Sequence, residues 1–219
     1  MARQQRKSIS CWLNRSSALT RADQAQGQGA ITYPDGSIYE GQWTAGAITG
    51  RGRATYAGGQ TYEGDFVDAV PHGTGTMSYP DGYRYAGAWK AGVREGIGTA
   101  TYPDGAIYKG AFRAGLRHGK GELTQPDGFR YVGDWKDGVI EGTGLATYPS
   151  GDVYEGAFLA GKRHGQGVMR YTGGQEAAGL WEQGVVTAPA DPPADLPADL
   201  PAADAPPASD PPADNTDGN

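Results

Sequence analysis

Residues 108–121 read Tyr-Lys-Gly-Ala-Phe-Arg-Ala-Gly-Leu-Arg-His-Gly-Lys-Gly. Tyr108, Gly110 and Phe112 stand at i, i+2 and i+4, which puts them on one face of an extended strand. The stretch recurs along the chain at a step of 23 residues. Tyr39, Tyr62, Tyr85, Tyr108, Tyr131 and Tyr154 keep that step. So do the aromatics Trp43, Phe66, Trp89, Phe112, Trp135, Phe158 and Trp181. Five glycine columns, the Gly-x-Gly pairs among them, hold 34 of the 37 glycines. A repeat found before any other feature decides the architecture.

Just upstream of the Tyr-x-Gly-x-aromatic unit lies Pro103-Asp104-Gly105, with Pro80-Asp81-Gly82 and Pro126-Asp127-Gly128 as copies. Pro presets the first turn corner, Asp hydrogen-bonds its own backbone, and Gly takes the left-handed position that closes a hairpin with a bulge. Each repeat therefore reads as a β-hairpin, and a longer link such as residues 90–95 returns the chain to the next one. The expected fold is all-β, an elongated single-layer antiparallel sheet of about seven 23-residue hairpins. At ~4.8 Å per strand, about fourteen strands make a ladder of roughly 65 Å. One face presents Tyr, Trp, Phe and Gly. A finer period of 46 pairs a large aliphatic (Ile31, Met77, Leu123, Met169) with Trp and an Ala (Ala54, Ala100, Ala146) with Phe, a packing signal.

Composition agrees. Leu, Ile, Val and Phe number only 29 of 219 residues, whereas Tyr numbers 13 and Gly 37. Such a chain cannot build a helical bundle or a doubly wound α/β core, yet it has far more aromatic surface than a disordered one. Three segments follow: a basic extension over 1–26 with charge +4, a repeat domain over 27–186 with −3, and a Pro/Ala/Asp-rich tail over 187–219 with −7 that reads as disordered. The first segment is Arg- and Ser-rich and nearly free of acid, a composition shared by transit peptides and basic membrane-surface arms. No apolar run is long enough for a spanning helix. The expected location is cytoplasmic or membrane-peripheral.

The pattern Tyr-x-Gly-x-(Trp/Phe)-x-x-Gly-x-x-x-Gly-x-Gly resembles the MORN (membrane occupation and recognition nexus) repeat, and the resemblance covers residues 27–186. It implies a sheet-like scaffold, with homodimerisation and phospholipid association in some members. Ala69, Gln125 and Ala177 depart from the consensus columns.

Nothing in the sequence assembles a catalytic constellation. His72, His118 and His164 share a column, but 46 residues are four strands, roughly 19 Å, and zinc needs ligands ~2 Å from one ion. The Asp column serves the turns. Gly156–Lys162 approaches a phosphate-binding loop, but Arg163 replaces its Ser/Thr and no helix follows. Cys11 stands alone, so no intramolecular disulfide forms. The chain is therefore read as no enzyme, with no cofactor, no metal and no nucleic acid.

The expected function is a scaffold whose aromatic face contacts a protein partner, a second copy or its own N-terminal segment. Its candidate binding face is Tyr39, Trp43, Tyr62, Phe66, Tyr85, Trp89, Tyr108, Phe112, Tyr131, Trp135, Tyr154 and Phe158, an apolar stripe too large to leave bare. The alternative is an adaptor on anionic lipid, using the N-terminal arm and a basic edge of Arg94, Arg117, His118, Lys162, Arg163 and His164. A lesser alternative is choline or glycan binding by aromatic cages.

Overall fold

The computed structural model describes residues 24–189. The basic arm up to residue 23 and the tail from residue 190 lie outside the described residues. Fifteen strands run in sequence order, each paired antiparallel with its neighbours in one open sheet. They are β1 (Gly27–Thr32), β2 (Ile38–Thr44), β3 (Ala47–Thr55), β4 (Thr61–Val67), β5 (Val70–Ser78), β6 (Arg84–Lys90), β7 (Val93–Thr101), β8 (Ile107–Arg113), β9 (Leu116–Thr124), β10 (Arg130–Lys136), β11 (Val139–Thr147), β12 (Val153–Leu159), β13 (Lys162–Arg170), β14 (Glu176–Glu182) and β15 (Val185–Pro189). Backbone contacts divide them into two compact units, the first ending at Gly96 and the second starting at Ile97.

The repeat around Tyr131 shows why this sequence makes these strands. At the Pro126-Asp127-Gly128 turn, Gln125 N donates to Phe129 O at 2.8 Å and Gly128 N to Gln125 O at 3.0 Å. Gly128 sits at φ +98°. Asp127 Oδ1 accepts from Phe129 N at 2.9 Å. This is the bulged hairpin that Pro-Asp-Gly demands.

The other end of the repeat corrects the sequence reading. The link is not an irregular return. Asp137 (φ 48°) and Gly138 (φ 90°) both lie in the left-handed region, and Lys136 pairs directly with Val139. That is a two-residue turn of the primed kind, whose twist matches the strands it joins. Residues on either side of it are strand, so the described chain is a continuous meander of fifteen strands where fourteen were expected.

Between the turns, Gly133 faces Gly144 but Trp135 faces Ile140. Two extra residues in β11 form a bulge. Gly142, at φ +118°, supplies its turn, and Asp134 Oδ2 accepts the freed N–H of Thr143 at 3.0 Å. The bulge bends the strand, and the second glycine of the pair, Gly144, lets the Tyr131 ring lie against the backbone. A Cβ on Gly144 would fall 2.5 Å from Tyr131 Cε2.

Candidate functional site

The core of each unit is a row of cells on the tyrosine face. In one cell of the second unit, Tyr131 Oη donates to Asp134 O at 3.0 Å. Its ring meets Trp135 edge-on at 5.6 Å between centroids and Phe158 at 5.2 Å. Such edge contacts contribute ~0.5–1.5 kcal/mol each beyond area burial. Leu123 and Ala146 flank the ring and are buried. Trp89, Trp135 and Trp181 donate Nε1–H to Gly75 O, Gly121 O and Gly167 O. Trp43 has a buried Nε1 with no acceptor among the described residues.

These cells correct the proposed binding face. Tyr39, Trp43, Tyr62, Phe66, Tyr85, Trp89, Tyr108, Phe112, Tyr131, Trp135, Tyr154 and Phe158 are all buried by their own chain, with Tyr131 and Tyr154 at 0% exposure. They form the core, not an open stripe. Bending at the glycine bulges and stacking between repeats closes each ring in. Burial pushes the Tyr154 hydroxyl up to about 12, against the opposing pull of Arg163. It raises Tyr62, Tyr85 and Tyr131 further.

The basic edge is corrected in part. Arg94, Arg117 and Arg163 are buried at 6%, 3% and 6% exposure. They belong to strands, directly across from the aromatic column: Phe112 pairs with Arg117 and Phe158 with Arg163. The Arg117 guanidinium lies 4.4 Å from the Trp135 ring centroid and donates to Gly138 O at 2.6 Å. Arg163 sits 4.7 Å from Trp181 and donates to Gly184 O at 2.5 Å. Arg94 donates to Tyr83 Oη. These cations are held by ring faces, with a tyrosine hydroxyl for Arg94 and carbonyls for Arg117 and Arg163. His118, Lys162 and His164 are half-buried. His72 Nδ1 and His118 Nδ1 face the backbone N–H groups of Ala91 and Asp137 at 3.4 and 3.5 Å. His72 and His118 thus serve the neighbouring turn, whereas His164 Nδ1 is buried with no hydrogen-bond partner among the described residues.

Among the described residues each unit has a concavity. In the second unit a groove of about 630 Å³ crosses β8 to β12 on the face opposite the rings. Gly121, Gly133, Gly144 and Gly156 floor it. Lys109, Glu122, Val132, Leu145 and Glu155 wall one side, Lys120 and Thr143 the other. Val132 and Leu145 are cross-strand partners. Glu122 is paired with Arg130 at 2.7 Å, Lys120 with Asp134 at 2.6 Å and Glu155 with Arg170 at 3.2 Å. The ion pair and the Thr143 hydrogen bonds hold the Asp134 carboxyl below its ordinary range.

In the first unit a pocket of about 570 Å³ opens on the tyrosine face. Its walls include Tyr33, Ser37, Tyr39, Ile48, Ala54, Tyr56, Phe66 and Ala69. The equivalent cell of the second unit has Phe129 where Ser37 stands. Phe129 is buried and meets Tyr148 at 5.8 Å. Ser37 instead turns to the loop, its Oγ bonded to Asp35 Oδ2 at 2.9 Å and accepting from Ala57 N at 3.0 Å. Sequence reasoning missed both concavities. The available signal was the column Ser37, Gln60, Tyr83, Ala106, Phe129, Asp152, Gln175, whose large members follow the 46-residue period.

The MORN repeat profile matches residues 21–38, 39–61, 62–82, 85–107, 108–130, 131–153 and 154–176, seven consecutive copies. The chain belongs to the MORN-repeat family. No curated protein sequence matches it. Among solved structures, the TCP domain of Drosophila melanogaster SAS-4 (dCPAP), in complex with a proline-rich motif of Ana2 (dSTIL), is similar at 17% identity. That match covers 77% of this chain and 99% of the other, with a TM-score of 0.45. The TCP10 domain of Danio rerio CPAP is similar at 12% identity over 70% of this chain and 73% of that one, with a TM-score of 0.42. The family assignment rests on the repeats.

Proposed function

We propose that this MORN-repeat chain is a non-enzymatic scaffold that docks an extended segment of a partner protein in the glycine-floored groove of its second unit. The groove itself supports the reading. The aromatic rings and buried arginines are spent on the core, so the chemistry left for a partner is on the opposite face. There Val132 (37% exposed) and Leu145 make an apolar step beside bare glycine backbone. A segment lying across the strands would set an aliphatic side chain on that step. Lys109, which has no ion-pair partner among the described residues, would meet an acidic side chain on the same segment. The charges around them are already paired, which favours specificity over strong attraction. Docking through the aromatic face, by a partner or a second copy, loses its support because that face is interior.

The test displays a library of short random peptides against the immobilised full chain. Selected peptides should combine an aliphatic with an acidic residue. They should lose at least tenfold in affinity to a Val132→Lys, Leu145→Lys chain whose melting temperature is unchanged. Binders indifferent to that double change, or none at all, would overturn the proposal.

A further inference from the structure

The pocket of the first unit is a core cell with one side chain missing. Its Tyr56 corresponds to Tyr148, which meets Phe129 in the second unit, and its Ile48 to the buried Ile140. With Ser37 in place of Phe, a cavity of about 570 Å³ is left, walled by Tyr39, Ile48, Ala54 and Phe66. We propose that this slot is filled by the chain's own N-terminal segment, with Trp12 as the inserted ring.

Three observations point to that occupant. First, the segment is tethered beside the slot. Ala25 O accepts from Gly46 N at 2.9 Å and Gln26 Oε1 from Ala45 N at 2.9 Å, which fixes residues 25 and 26 on the β2–β3 turn. Ile48, two residues beyond that turn, is a wall of the slot, and its carbonyl accepts from Ala69 N, another wall. Eleven residues separate Trp12 from Gln24, a reach of up to about 40 Å. So short a tether gives the ring a high effective concentration at the slot. Second, Trp12 is the chain's one aromatic residue outside the described strands and turns, and Ile9 and Leu13 flank it. Third, the charges match. Asp35 lines the mouth, and its hydrogen bonds from Ser37 hold its carboxyl ionised. The segment carries Arg3, Arg6, Lys7, Arg15 and Arg21 against Asp23 alone. This reading is independent of the groove in the second unit, which lies on the opposite face of the strands.

Cys11, the only cysteine and the neighbour of Trp12, carries the probe. A nitroxide attached there on the full chain should broaden away most of the amide signal of Ile38, Ala54 and Tyr56, and the signal should return on reducing the label. Trp12→Ala should abolish the broadening and Trp12→Phe should keep most of it. Ser37→Phe should fill the slot and abolish it with no loss in melting temperature. Undiminished signals in the parent chain, or broadening unaffected by Trp12→Ala, would overturn the proposal. A mixture of labelled, unenriched chain with enriched Cys11→Ser chain separates the sources. Broadening of the enriched Cys11→Ser chain in that mixture assigns the slot to a second copy and likewise overturns it.

Discussion

The cell around Tyr131 and the cell around Tyr39 share almost every wall, yet one is closed and the other holds a cavity. In both, a tyrosine lies over two glycines and meets one aromatic ring on its own strand and another from the next repeat, and the own-strand tryptophan pairs with an isoleucine, Ile48 or Ile140. The difference is Phe129 against Ser37. The backbone of either cell is set by its turns and its bulge, to which Ser37 adds loop hydrogen bonds with Asp35 and Ala57 where Phe129 adds a buried ring. A repeat fold of this kind can therefore lose a core residue without losing the cell, and a cavity is left in its place.

Alkaline pH should move the comparison most. Tyr62, Tyr85, Tyr131 and Tyr154 have hydroxyls raised well above their ordinary value of 10.0 by burial. Above pH 10 the unfolded chain releases these protons and the folded one retains them. Stability is therefore complete below pH 10 and falls above it, by about 1.4 kcal/mol per tyrosine per pH unit until the hydroxyl ionises in the fold. Denaturant titrations at pH 9, 10 and 11 should show a steep loss between the last two. A flat profile would mean that the rings are wetter than their burial implies.

Phe129→Ser should copy the open cell into the second unit. Removing a buried phenylalanine and leaving a cavity costs about 4 kcal/mol. Chemical denaturation measures it, and a loss under 1 kcal/mol would show that the cell collapses and that the Ser37 pocket needs another origin. Next in size, Gly144→Ala drives a methyl into the Tyr131 ring, which has no free volume to enter, and should cost about 3 kcal/mol. Gly52→Ala makes the same clash with Tyr39 at 2.5 Å from Cε2. There the ring borders the pocket and is free to shift, so about 1 kcal/mol is expected. Equal losses would break the argument that the two cells differ in packing. Arg163→Ala, removing a desolvated cation from the Trp181 face, should cost about 2 kcal/mol, with Arg163→Lys failing to restore it because the planar fork is lost.

Much of this was legible from spacing alone. Pro-Asp-Gly announced one hairpin turn, and Tyr-x-Gly-x-Trp announced a strand with its rings on one side. The second turn was hidden because its first corner is Ala in four copies (Ala45, Ala91, Ala114, Ala160), Gln183 in another and Asp68 before Ala69 in a sixth; only Asp137-Gly138 carries the usual signal. Taking residues 90–95 for a link put Arg94 on an edge. Taken as strand, Arg94 has the parity of Ala100 and points into the core, because a two-residue bulge leaves the alternation intact. The aromatic stripe was assigned to a partner for a related reason. A flat single sheet leaves one face bare, whereas the bulge at the first glycine of each Gly-x-Gly bends the strand and lets the repeats cover one another's rings. Neither concavity follows from any one repeat. Each appears only when neighbouring strands bring columns of differing size together.

The smallest effect tests the wall that the pocket shares with the turn. Ala69 is at φ 66°, in the position where the second unit has Gly161 at φ 81°. A left-handed alanine costs about 1–2 kcal/mol against glycine, and glycine returns about 0.5–1 kcal/mol of that through the freer unfolded chain. Ala69→Gly should therefore gain about 0.5 kcal/mol, a rise of roughly 1–2 °C for a chain of this size. Gly161→Ala should lose about the same. The methyl of Ala69 is also a wall of the pocket, so the first change widens the slot while the second touches only a turn. If Trp12 occupies the slot, Ala69→Gly loosens that contact and its gain falls below the size of the Gly161→Ala loss. If the slot is empty, the two effects are equal and opposite, and calorimetry of the full chain and its Trp12→Ala counterpart tells them apart.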